Sequence, residues 1–225
     1  MALSVLNRAG QSVSPGIISG ATGFDTGWLL PGSGENTTSV TGISAGSITW
    51  NNAGRITVDD NSDASTNGSI NDDTVILRAF NFGLDSILPQ NVVVTGIRIQ
   101  FERYKENNGS FHTTNFDGVR VIGPGPAVIG GTPDSGSPSS SNRDWTTSRA
   151  LENWGSSSDL WSTGGFNASD VLSSAFGFGM YSFREGADGF VDRMEIRINY
   201  DEDDTDIFNL DGAALDDTRT LTNAG

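Results

Sequence analysis

Apolar and polar residues alternate most clearly near the middle and the end of the 225-residue chain. Between Val92 and Tyr104, Ile97, Ile99 and Phe101 alternate with Arg98, Gln100 and Glu102, the period of a strand with one face in a core and one in water. The stretch Phe190–Tyr200 does the same, with Met194, Ile196, Ile198 and Tyr200 in one phase and Arg193, Glu195, Arg197 and Asn199 in the other. These two strands are expected to bury Ile97, Ile99, Phe101, Met194, Ile196 and Ile198 against one another across two sheets. Further strands are predicted at 47–50, 54–58, 75–82, 118–122, 127–129 and 175–183. Gly-rich or Asn-rich turns punctuate them at Asn71-Asp72-Asp73, Asn107-Asn108-Gly109, Gly123-Pro124-Gly125-Pro126 and Gly186 to Gly189. Helical turns are expected only at 148–153 and at 167–173, the latter capped by Asn167 or Ser169. Residues 130–142, with a Ser-rich tract, are predicted to form an exposed loop.

The two ends lack this pattern. Residues 1–46 are rich in Gly, Ser and Thr and show no sustained period, yet they carry Phe24, Trp28, Leu29 and Leu30. Residues 201–225 open on Asp201-Glu202-Asp203-Asp204 and carry Ile207, Phe208 and Leu210. Spaced anchors in segments too sparse to build a core predict extended arms that become ordered against a partner surface, expected to be another subunit. The fold expected is therefore all-β: a single antiparallel, jelly-roll-like β-sandwich over residues 47–200, with an N-terminal arm (1–46) and an acidic C-terminal arm (201–225).

Charge narrows the partners. Thirteen basic against 28 acidic side chains give a formal charge of −15, which disfavours a nucleic-acid partner. With no cysteine there is no disulfide, Cys-ligated zinc or thiol chemistry. No apolar run approaches the roughly 20 residues of a membrane helix, and Met1–Gly20 lacks the pattern of a secretory signal. The basic side chains are twelve Arg and the single Lys105, a bias that suits bidentate contacts at interfaces.

Candidate chemistry is thin. His112, the one histidine, lies just after a turn with no nucleophile elbow in the chain, and is expected to be an exposed loop residue. Asp59-Asp60-Asn61-Ser62-Asp63 resembles the start of a calcium loop, but an EF-hand would need glycine and glutamate where Ala64 and Ile70 stand. It reads as a solvated turn, with a calcium site of non-EF type in a β loop as the alternative; no metal or cofactor is expected. Trp145, Trp154 and Trp161 fall close together and could either fill the end of the fold or form a glycan-stacking platform.

From Trp50-Asn51-Asn52-Ala53-Gly54 to Asn199-Tyr200 the chain resembles a β-sandwich module of tailed-phage structural proteins. The likeness rests on Thr74–Gly83, Leu88–Arg103, Asp159-Leu160-Trp161 leading into Phe166–Asp170, and Phe176–Gly179 paired with Phe190–Tyr200, about two-thirds of the chain. It implies a non-enzymatic virion component with no catalytic residues to carry over. The long ends suit a capsid decoration (cement) protein on the capsid exterior, bound to the major capsid protein as a homotrimer, with neither nucleic acid nor membrane as partner. The alternative is a tail, fibre or host-recognition module that binds surface glycans through the tryptophans. A polysaccharide-cleaving enzyme would require a carboxylate pair across a cleft.

Overall fold

The computed structural model describes residues 23–44, 46–67, 71–107, 109–113, 118–131 and 143–202. Within these the fold is all-β, with a single short helix at Ala168–Val171. Strands β7 (Val92–Lys105) and β15 (Gly189–Glu202), fourteen residues each, form its axis. They pair antiparallel along nearly their whole length, from Gly189 opposite Lys105 to Glu202 opposite Val92. The sheet continues from β7 to β12 (Ala150–Gly155), and from β15 to β4 (Ala64–Thr66) and β3 (Trp50–Asn51). At the far end of β15, β1 (Phe24–Asp25) is added.

A five-stranded sheet runs in the order β10 (Ala127–Gly130), β9 (Val119–Gly123), β13 (Gly177–Met180), β6 (Ile76–Phe80), β2 (Ser33–Thr37). A four-stranded sheet has the order β11 (Arg143–Asp144), β8 (Ser110–Thr113), β14 (Ser182–Glu185), β5 (Asp72–Asp73). These two share chain, since β5 runs on into β6 and β13 into β14. Where they break, the Thr74 amide donates to the Ser182 carbonyl at 2.8 Å and the Ser182 amide to Thr74 Oγ1 at 3.0 Å. The strands thus form three hydrogen-bonded sheets, the second and third sharing chain.

One hydrophobic cluster draws on all three: Ile97, Ile99, Phe101, Met194, Ile196 and Ile198 from the first, Leu77, Val121 and Phe178 from the second, and Phe111 from the third. The six residues expected in the core are fully buried. They do not oppose one another across two sheets, however. Phe101 pairs with Met194, Ile99 with Ile196 and Ile97 with Ile198, as neighbours within one sheet.

Several local expectations change. Residues 54–58, expected as a strand, lie largely in a 3₁₀ turn (Ala53–Ile56) whose Ile56 is fully buried. Residues 148–153, expected as a helical turn, enter β12, because the free edge of β7 offers a ladder from Arg98 to Arg103 that outweighs local helix preference. The turn at 167–173 is a helix, Ala168–Val171, with Asn167 at its N-cap position.

The N-terminal boundary also moves. Residues 23–44, expected as part of an arm, belong to the sheets: β2 is hydrogen-bonded to β6 from Ser33–Phe80 to Thr37–Ile76. Leu29 exchanges both backbone hydrogen bonds with Ile196, at 2.9 and 3.1 Å. The Asp25 carboxylate accepts from Arg197 at 2.6 Å, and this guanidinium together with the Gly27 amide holds its carboxyl below the ordinary range. At the other end, β15 continues past Tyr200 to Glu202.

Two outcomes check this architecture. Phe101→Ala, read by denaturant unfolding, should cost about 3–5 kcal/mol. In the isolated protein the Leu29 and Ile196 amides should exchange slowly with solvent, as a paired bridge does and a free arm does not.

Candidate functional site

The three tryptophans are inside the fold. Trp145 packs edge-on against Phe111 at 4.6 Å, with its indole N–H donating to Thr113 Oγ1 at 3.0 Å. Trp161 is held in a left-handed backbone conformation (φ 55°), rare for a bulky residue. Its amide donates to Asp159 Oδ1 at 2.7 Å and its indole N–H to the Ile97 carbonyl at 2.9 Å. The close approach is possible because Gly155 (φ 74°) has no Cβ, which would lie 2.2 Å from that carbonyl. Trp145, Trp154 and Trp161 are 1, 2 and 0% exposed. Rings so enclosed cannot stack on a sugar, so the glycan platform is corrected to core packing.

A surface cleft of about 370 Å³ lies beside Trp154, lined by Trp28, Arg98, Asn153, Ser156 and Ser157. It includes neither a carboxylate nor a histidine. Of the other expected anchors, Phe24 stacks on Tyr200 at 5.5 Å, Leu29 packs on the main core and Leu30 is exposed. Phe24 and Leu29 therefore find partners in their own domain. Ile207, Phe208 and Leu210 lie outside the described residues. His112 is not an exposed loop residue: it sits in β8, 8% exposed, with its ring 5.4 Å from that of Phe183.

Arginine is spent largely within the chain. Arg103 Nε donates to Glu152 at 2.7 Å, both side chains buried, with the guanidinium 5.3 Å from the Trp145 ring centre. Arg78 bonds Glu35 at 3.0 Å and the Ala175 carbonyl at 2.6 Å, and Arg184 bonds Asp188 at 2.9 Å. Among the described residues these arginines are paired within the chain.

The densest group of charges lies on the outer face of β7 and β15. Pairing slips between Val191 and Met194, so that Asp192 and Arg193 together oppose Glu102 alone. This β-bulge keeps both Val191 and Met194 in the core and turns Asp192 to the other face, beside Glu102. The turn 59–63 folds over that spot, anchored by a bridge between Thr57 and Arg193. Carboxylate oxygens of Asp59, Glu102 and Asp192 all lie within 4.8 Å of one another.

Two guanidiniums thread this cluster. Arg149 reaches Asp63 at 2.9 Å, Glu102 at 3.5 Å and Asp192 at 3.9 Å. Arg193 pairs with Asp59, and reaches Glu102 and Glu195 at 3.5 Å. Five carboxylates against two guanidiniums leave a formal excess of three negative charges. Asp192 is fully buried, yet neither of its oxygens has a well-formed hydrogen bond, the Asn61 amide approaching without good geometry, and Asp63 Oδ1 also lacks a partner. Burial pushes the Asp192 carboxyl above its ordinary value, outweighing the Asn61 amide and the Arg149 guanidinium that favour its charge.

The turn at Asp59–Asp63 was visible in sequence, but Glu102 and Asp192 were not associated with it. The signal for Asp192 is its phase: it falls with Met194, Ile196 and Ile198, where an unbroken strand would bury a carboxylate in an apolar core. Neither a family model, nor a curated protein, nor a solved structure matches the chain. Among the described residues no helix is long and apolar enough to cross a membrane.

The titration of Asp192 has a definite sign. Its folded pKa lies above the unfolded one, so at neutral pH folding confines a charge that unfolding would release to water. In chelator-treated protein this penalty should vanish as the pH falls through the raised value toward the ordinary carboxylate range. The titratable and charged groups around it are Asp59, Asp63, Glu102, Tyr104 and Arg149. Relative to wild type, Asp192→Asn should therefore be at least as stable at neutral pH and lose that advantage in acid, as read by unfolding curves across pH.

Proposed function

We propose that this chain is a structural component of a tailed-phage virion, a capsid decoration protein that stabilises the shell of major capsid proteins from outside. The observation that carries the reading is where the described body ends. β1 lies antiparallel to the end of β15, the Gly23 amide donates to Asp201 Oδ1 at 2.6 Å, and Phe24 stacks on Tyr200. Gly23 and Asp201, close to the two ends of the described body, thus lie together at one edge of its largest sheet. In this reading the segments before Gly23 and after Glu202 engage neighbouring subunits together, and each second attachment gains from the first. Strand addition to sheet edges supplies the backbone contacts, and apolar residues such as Ile207, Phe208 and Leu210 supply specificity. The sequence resemblance to phage β-sandwich modules and the all-β architecture support the same reading.

The test uses undecorated particles of the cognate phage. Full-length protein should bind them, in solution as a homotrimer, and raise their resistance to heat. A truncated protein spanning 23–202 should remain folded and fail to bind. Finding the native protein only in tails, or undiminished decoration by the truncated form, would overturn the assignment.

A further inference from the structure

We propose that the cluster on the outer face of β7 and β15 is a calcium site, with Asp59, Glu102 and Asp192 as its carboxylate ligands. The inference does not rest on the virion reading. Acidic residues on a surface carry no such implication by themselves, since water screens them. Here the decisive feature is the fully buried Asp192, neither of whose oxygens has a well-formed hydrogen bond, the Asn61 amide only approaching, and which lies in a group already rich in negative charge. A buried carboxylate left without donors is among the most costly arrangements in a protein interior. The nearest guanidinium atom, Arg149 Nη1, stands 3.9 Å from Asp192, giving charge compensation without a hydrogen bond.

A hard divalent cation answers all of these features at once. Three carboxylate oxygens within 4.8 Å of one another match the span of a single coordination shell. Asp63, whose Oδ1 is also without a partner, and the Asn61 carbonyl, which accepts from Arg149 at 3.2 Å, belong to the same turn as Asp59. Calcium takes six to eight oxygen ligands in adaptable geometry and accepts mixed carboxylates, carbonyls and water, whereas magnesium demands a stricter octahedron. The excess of negative charge over the two guanidiniums leaves room for a +2 ion. Its entry would compete with the Arg193–Asp59 pair, which lies at the exposed rim and is cheap to give up. Bound there, the ion would tie the 59–63 turn to the bulge of β15 and to β7, joining three segments distant in sequence.

The ions tested are calcium, with magnesium for comparison, and terbium, on full-length protein stripped with chelator. Tyr104, whose hydroxyl donates to Asp63 Oδ2 at 2.9 Å, stands close enough to sensitise terbium emission. Calcium should bind saturably at one strong site per chain, raise the melting temperature by several degrees and displace terbium, with magnesium weaker in each respect. Asp59→Asn, at the exposed rim and not needed for folding, should weaken calcium binding by about tenfold or more. Asp192→Asn should do the same and keep its chelator-state stability. Asp85→Asn, an exposed carboxylate elsewhere, should change nothing, as should the pair Asp203→Asn and Asp204→Asn in the acidic tail. The proposal is overturned if calcium neither binds saturably nor shifts the melting temperature. Wild-type affinity in Asp59→Asn, or loss of the strong site with the tail pair alone, would also overturn it. Should Asp192→Asn not fold, Asp59→Asn decides.

Discussion

The ladder between β7 and β15 is the constraint on which the rest depends. It is the longest pairing in the fold, and it lays Ile97, Ile99 and Phe101 beside Ile198, Ile196 and Met194 as a continuous apolar floor. The remaining pieces of the largest sheet build outward from its two edges: β12 along β7, and β4 and β1 along β15, with β3 beyond β4. A shift of one residue in this register would send the three core side chains of one strand to the opposite face, so the pairing has a strong energetic reason to be unique. The long contact distance in sequence, joining residues near 100 to residues near 195, means that the core forms only when remote parts of the chain meet.

The same ladder contains the irregularity that organises the charges. An uninterrupted strand would place Asp192 in the apolar core with Met194. The extra residue at the bulge reverses its direction, so Val191 stays in and Asp192 faces the 59–63 turn. Local geometry thus converts what would be a folding fault into a cluster of carboxylates with defined spacing. On the inner face the problem is solved differently. Arg103 continues the inward phase of Phe101, and the buried Glu152 of β12 together with the Trp145 ring accommodates its guanidinium. On the inner face the charge is thereby matched by a partner from another segment, whereas the outer cluster keeps an excess of carboxylates.

The N-terminal segment shows how little hydrophobic patterning a strand needs when an edge is waiting for it. Ser33–Thr37 reads Ser-Gly-Glu-Asn-Thr, with no apolar residue and no β-branched run before Thr37. Its strand state comes from the hydrogen bonds offered by β6, and Glu35 adds an ion pair to Arg78. Nothing in the segment itself announces this, because the determinant is the partner's free edge.

The sequence by itself determined the all-β class, the two long alternating strands, the burial of their apolar phase, the turns between them and the helical turn after Asn167. These are properties of local period and turn chemistry, which neighbouring residues encode directly. The 59–63 turn was legible for the same reason. Only the tertiary structure decided that there are three sheets, that residues 24–37 supply strands, that 150–155 is a strand and 53–56 a 3₁₀ turn, and that the tryptophans face inward. It also decided that Asp59, Glu102 and Asp192 meet. Those outcomes depend on which edge lies free beside which segment and on a single extra residue in one strand, and such relations between distant positions leave no period along the chain.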